Sequence, residues 1–231
     1  GRRLHPQRGA AAAGLDVLAR RHRDDGLSFA QTTSFNLDEY IGLAPEHPCS
    51  YHHFMRDAFF RHVDIDPART HLPKGDAADP QAASDDYERL IEKAGGIDLQ
   101  LLGIGQNGHI GMDEPTASLG SRTRIKTLTD STRRANQKYF ASFEETPRYA
   151  ITTGVATILD ARKCLLIATG AAKADAVAKM IEGPVSAACP ASALQLHAKA
   201  TIILDAEAAG ALALTGYYET VHPSGRESAF H

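Results

Sequence analysis

The sequence predicts an α/β protein with a doubly wound, mostly parallel sheet and helices on both faces. Three observations lead there. Stretches with apolar residues at helical spacing alternate with short apolar runs of strand type, and Gly or Pro separates them. The 231 residues suit one large α/β domain better than two small ones. No internal repeat and no low-complexity linker interrupts the alternation, so successive strands are expected to lie parallel.

Residues 15–23 read as a helix closed by Gly26, and residues 32–37 as a strand. Residues 50–62 form an amphipathic helix: Ser50 is the N-cap, and Tyr51, Phe54, Met55, Ala58, Phe59 and His62 recur on one face. Within it, His52 reads as a surface residue and His53 as a core one. Asp79 and Pro80 open a helix that runs to Gly95. Residues 97–104 and 122–129 read as strands and 131–140 as a helix. A buried strand over 163–169, a helix over 173–182 ended by Gly183, and a last strand over 200–204 complete the domain. Residues 15–222 are thus one unit. Residues 1–14, rich in Arg and Ala, form an atypical N-terminus expected to be disordered, and 223–231 a polar tail of the same kind.

Charge excludes several partner classes. The chain has 25 Lys and Arg against 28 Asp and Glu, which gives no electrostatic case for nucleic acid or an anionic membrane. No apolar run reaches the roughly 20 residues that span a bilayer, and the N-terminus lacks the apolar stretch of a signal peptide. Cys49, Cys164 and Cys189 are odd in number and far apart, so they form neither a disulfide framework nor a metal cluster, which fits a cytoplasmic protein.

Ligands of parallel α/β folds bind beyond the carboxyl ends of strands. Residues 36–40, 103–114 and 170–173 sit at such ends. Gly103, Gly105 and Gly108 make a G-x-G-x-x-G, but the segment that follows carries Gly111, Pro115 and Gly120 and leaves no room for the helix a dinucleotide site requires. A tight turn that aims His109 into a cleft suits the glycines better. His109 stands five residues before Glu114, a spacing that allows a carboxylate-held acid–base histidine or a histidine bonded for structure alone. Asp38 and Glu39 end a strand, where they serve either as a base or as a solvated turn. Lys173, at a helix N-terminus, reads as an anion contact or an ordinary exposed lysine. Arg122, Arg124 and Lys126 alternate along one strand and are expected on one side, as an anion site, a subunit contact or a solvated face.

The run Phe35-Asn36-Leu37-Asp38-Glu39-Tyr40-Ile41-Gly42-Leu43 resembles the signature of the glucosamine-6-phosphate deaminase family, as does Gly103-Ile104-Gly105-Gln106-Asn107-Gly108-His109-Ile110-Gly111 with Asp113-Glu114-Pro115 after it. Ser118-Leu119, Ser121-Arg122-Thr123-Arg124-Ile125-Lys126-Thr127-Leu128-Thr129 and Ser192-Ala193-Leu194-Gln195-Leu196-His197 continue the likeness, which covers about residues 15–205. The resemblance implies the fold of ribose-5-phosphate isomerases and coenzyme A transferases. It implies conversion of glucosamine 6-phosphate to fructose 6-phosphate and ammonia, by aldose–ketose isomerisation and hydrolytic deamination, with neither metal nor organic cofactor. By the same resemblance Asp38 is the general base, His109 opens the sugar ring, Glu114 orients it and Asn107 supports it. Lys173 and Lys138 hold the phosphate, and Ser118, Arg124, Lys126 and Thr127 are candidates for an effector site or an interface. The partner implied is a small amino-sugar phosphate; a homo-oligomer is left open. Galactosamine 6-phosphate as substrate, 6-phosphogluconolactonase activity, and an inactive or sensor protein are the alternatives. Residues 1–14 depart from the family, whose members begin with a strand and a Ser/Thr/Gly-rich phosphate loop. That first strand is expected to be missing through truncation or a change of reading frame upstream of about Gly14, with a weakened phosphate grip.

Overall fold

A computed structural model describes residues 9–223. Helix α1 spans Gly9–Asp25. Part of the N-terminal stretch set apart above therefore opens this helix, whereas residues 1–8, and 224–231 of the tail, lie outside the described residues. The chain continues through β1 Ser34–Phe35, β2 Asp38–Tyr40, α2 Tyr51–Ala58, β3 Thr70–His71, α3 Pro80–Lys93 and β4 Gln100–Leu102. It then forms β5 Arg124–Thr127, α4 Asp130–Asn136, β6 Tyr149–Thr152, α5 Val155–Leu159, β7 Cys164–Ala168, α6 Ala174–Ile181, β8 Ala200–Leu204 and α7 Thr215–Val221.

The class is α/β, but among the described residues the strands form three sheets rather than one mostly parallel sheet. Strands β4-β7-β8 are parallel, as are β1-β3, while β2-β6-β5 is antiparallel throughout. The single strand expected over 32–37 is cut short, because the chain changes partners. The Asn36 N–H still donates to the His71 carbonyl, but the Leu37 carbonyl accepts from Thr153 N–H, and Asp38 then pairs with Thr152 in another sheet. Period-2 patterning shows that a segment is extended, not which strand it will meet.

The main core lies around β4 and β7. Leu102, Ile110, Ile158, Leu166, Val177 and Met180 are all at most 1 % exposed, and each such side chain contributes roughly 1.5–3 kcal/mol by leaving water. Helix α6 reaches this core with Ala176, Val177 and Met180, one face of a helical turn. A second cluster joins Met55, Phe59 and Leu72 to Leu15, Leu18 and Phe29, which docks α1. Local signals worked well at helix starts. Ser50 accepts from His53 N–H, and Asp79 accepts from Gln81 and Ala82 N–H with Pro80 next in line. Helix α3 buries Ala83, Ser84, Tyr87 and Ile91, and the Tyr87 hydroxyl lies 2.8 Å from the Asn36 carbonyl and 3.1 Å from that of His71. It seals the ends of β1 and β3 just before Asp38.

The residue beside Asp38 is structural. Glu39 is 1 % exposed and accepts from the N–H groups of Tyr40, Tyr51 and His52 at 2.8, 3.0 and 3.0 Å. It satisfies the free end of α2 and ties that helix to β2. Its Oε2 also lies 2.8 Å from His52 Nδ1, and the surface and core places expected for the two histidines are not found: both are half-buried, His52 facing the buried acid and His53 turning to Asp57 and Arg56. Replacing Glu39 by Gln puts an amide donor among N–H groups, and we expect a loss of about 1–3 kcal/mol in urea unfolding. An unchanged midpoint and slope would show that Glu39 does not anchor α2.

Candidate active site

Strand β2 presents Asp38 as its first residue, and the loop after β4 folds back over it. The Asp38 Oδ1 accepts from the Thr152 hydroxyl at 2.5 Å and from the Met112 N–H at 3.0 Å. Gly111 makes this approach feasible. Its φ is +56°, and a Cβ there would stand 3.3 Å from both Asp38 Oδ1 and Thr152 Oγ1. Burial pushes the Asp38 carboxyl up to about 7; the Thr152 hydroxyl opposes the rise and the charge of Asp113 adds to it. A carboxyl poised there exchanges protons at neutral pH.

Three residues earlier in the same loop stands His109. Gly105 is required by space, because a Cβ at that position would collide with the His109 ring. Hydrogen bonds then determine the state of the imidazole. Thr132 donates its hydroxyl to Glu114 Oε1, and the Asn107 amide NH₂ donates to Glu114 Oε2 at 2.6 Å. Glu114 is 2 % exposed and as a carboxylate only accepts, so it turns the Asn107 carbonyl towards His109 Nδ1, 2.7 Å away. That oxygen also only accepts, so Nδ1 carries the proton and Nε2 of the neutral ring is left to meet a ligand. Glu114 itself lies 3.8 Å from Nδ1, so Asn107 relays its effect. Burial holds the His109 pKa below the usual value; Glu114 pulls it upward, and nearby Lys173 lowers it further.

Lys173 closes the turn Ala171–Lys173 that follows β7. The backbone there is not free for an anion: Gly170 N–H donates to Asp205 and Ala171 N–H to Glu207. The Lys173 side chain, partly buried near His109, is placed to hold one. Lys138 is exposed and lies 5.2 Å above the neighbouring Tyr139 ring. Helix α4, just before it, is tied to β2 by Asn136 donating to the Tyr40 hydroxyl at 2.9 Å.

Of the three basic residues expected on one side, Arg122 departs while Arg124 and Lys126 stay together. Strand β5 begins only at Arg124, and Arg122 before it pairs with Glu88 and Asp160. Arg124 turns inward to Asp113 at 2.6 Å, and the charge of Lys126 is also felt at Asp113. Ser118 accepts from Gly120 N–H in its own turn, and Thr127 is exposed at the end of β5. A cleft of about 720 Å3 lies around Glu88, Arg122, Thr157 and Asp160; it holds Arg122 but none of Asp38, Asn107, His109, Glu114, Lys138 and Lys173. Thr132 and Thr152 escaped the sequence reasoning, and Asp113, present there in the motif, was given no role. Thr129-x-x-Thr132 carries a capping signal, since Thr129 caps α4 through Thr132 N–H, but nothing local shows that Thr132 reaches Glu114.

Residues 10–203 match the family model for glucosamine-6-phosphate isomerases/6-phosphogluconolactonase. The chain belongs to this family. A glucosamine-6-phosphate deaminase of Hahella chejuensis is 56 % identical over 204 residues, covering 88 % of this chain and 78 % of that protein. A solved monomeric glucosamine-6-phosphate deaminase superposes with a TM-score of 0.85 at 46 % identity, covering 88 % of this chain and 84 % of the other. The 6-phosphogluconolactonase of Trypanosoma cruzi aligns with a TM-score of 0.67 over 86 % of this chain and 80 % of its own, but at 19 % identity it shares the fold alone. In this chain the candidate site is built from β2, the β4 loop, β6 and α4.

The raised Asp38 pKa has a stability consequence with a definite sign. Between pH 3.8 and about 7 the unfolded chain ionises this carboxyl while the folded protein keeps it protonated. The parent therefore loses stability across that window, and Asp38→Asn does not. The melting temperature of the variant minus that of the parent should grow from pH 4 to pH 8; a difference independent of pH would contradict the burial of this carboxyl.

Proposed function

We propose that this chain is a glucosamine-6-phosphate deaminase that isomerises its substrate and hydrolyses the product to fructose 6-phosphate and ammonia. The observation that carries the reading is one loop that covers a carboxyl poised near pH 7, through its Met112 N–H, and also carries a neutral histidine whose Nε2 is left without a protein partner among the described residues. The amino-sugar relatives over most of the chain supply the substrate class.

The steps follow from the two groups. His109 Nε2 moves a proton between the sugar's anomeric hydroxyl and ring oxygen, which opens the ring. The Asn107 carbonyl stabilises the imidazolium that forms, with Glu114 behind it. Asp38 then takes the proton from the carbon bearing the amine and returns it to the neighbouring aldehyde carbon, while the aldehyde oxygen gains a proton and the nitrogen gives one up. A ketose imine results, and water adds to it and expels ammonia. Lys173 is assigned to the phosphate, with Lys138 as a second contact once substrate draws it from the Tyr139 ring. The three sheets correspond, in this reading, to the doubly wound frame of the ribose-5-phosphate isomerase and coenzyme A transferase folds.

The deciding experiment measures ammonia and fructose 6-phosphate released from glucosamine 6-phosphate, with galactosamine 6-phosphate and 6-phosphogluconolactone as parallel substrates. We expect turnover of the gluco sugar above both. Preferred hydrolysis of the lactone, or binding of the amino sugar without ammonia, would overturn the reading. Asp38→Asn and His109→Gln should each lower kcat about 10²–10⁴-fold, with KM far less affected. A turnover number within a few-fold of the parent would remove either residue from its role.

A further inference from the structure

We propose that the buried Asp113–Arg124 ion pair is a positioning device for Asp38, holding the 110–113 turn against its carboxylate; the proposal rests on the reading of Asp38 as the base. The argument starts from register. Asp38 is paired with Thr152 across β2 and β6, and Arg124 with the same Thr152 across β6 and β5. Asp38, Thr152 and Arg124 therefore form one row across the antiparallel sheet, with side chains on one side of it. The 110–113 turn lies on that side. It is closed by Asp113 N–H donating to the Ile110 carbonyl at 3.0 Å, and the Met112 N–H within it points at Asp38 Oδ1 and, at 3.2 Å, at Thr152 Oγ1. Asp113 is fully buried, and its Oδ1 meets the Arg124 guanidinium at 2.6 Å. The row and the turn are thus closed into a ring: base, threonine, arginine, aspartate, Met112 N–H, and base again.

A stability role explains this pair poorly. Its other oxygen, Oδ2, is buried and has no hydrogen-bond partner among the described residues, an arrangement that costs free energy. Burial raises the Asp113 pKa, and Arg124 opposes the rise, so the guanidinium is what keeps a charge at this point of the turn. The charges that bear on Asp38 are Asp113 from the turn and neighbouring Glu39; Tyr87 from α3, its pKa raised by burial, stays a neutral phenol, and Arg124 and Lys126 from β5 act on Asp113. If the turn moves away, Asp38 loses the Met112 N–H, a donor that favours its ionised form.

The test is the double variant Asp113→Asn/Arg124→Met, which removes the ion pair without changing net charge. Met112 amide exchange and the Asp38 carboxyl titration are read by NMR, with Asp38→Asn providing the assignment. Neither readout needs turnover. We expect Met112 exchange to quicken about tenfold or more, while the Asp38 midpoint falls, because removal of the Asp113 charge that raises it outweighs loss of the Met112 donor. With glucosamine 6-phosphate, kcat should fall about tenfold while KM stays within about threefold. A lower melting temperature with Met112 exchange unchanged would reduce the pair to a structural contact and overturn the proposal, whatever the Asp38 midpoint does. Should the double variant fail to fold, Arg124→Lys keeps the charge and shortens the reach: faster Met112 exchange supports positioning, and parent-like exchange overturns it. A parent that releases no ammonia would sink the deaminase reading while leaving the NMR comparison decisive for the pair.

Discussion

The meeting of the Asp38 carboxylate with the Met112 N–H is the contact on which the site depends. It brings a strand from one part of the chain against a loop 74 residues away. An acid at a strand end is ordinarily solvated and ionises near 4. Here the loop covers it, and the same loop carries His109 three residues before Met112. Desolvation and one backbone donor thus set both the chemistry of the acid and the place of its partner.

Around this contact the protein uses neutral hydrogen bonds where a direct ion pair would be the simpler design. Glu114 does not touch the histidine; an amide stands between them. An interposed Asn transmits orientation strongly and charge weakly. The arrangement keeps the imidazole neutral yet able to take a proton, as a group that must both give and receive protons requires. Glu39, the acid next to Asp38, is meanwhile spent on the end of α2. Two adjacent carboxylates receive different work because alternate residues of a strand face opposite sides.

Much of the frame was legible in the sequence. The caps at Ser50 and Asp79, the last strand at Ala200–Leu204 and the helix over Ala174–Ile181 follow from short-range rules that tertiary contacts had no reason to override. The motifs around Asp38 and His109 marked the site residues together with the family. The division into separate sheets was not legible, because β2, β5 and β6 meet through contacts between residues far apart in the chain. Nor was the commitment of Arg124 to Asp113, since basic alternation on a strand reads the same whether the residues face solvent or a buried acid.

By itself, then, the sequence determined which side chains the site has and which local elements carry them. Capping, periodicity and turn chemistry act between neighbours, and neighbours are what a sequence displays. Tertiary structure alone decided that Asp38 holds its proton to about pH 7, that His109 keeps its proton on Nδ1, and that Thr132, Thr152 and Asp113 belong to the site. Those properties come from exclusion of water and from donors supplied by distant strands, and both exist only once the chain has closed on itself.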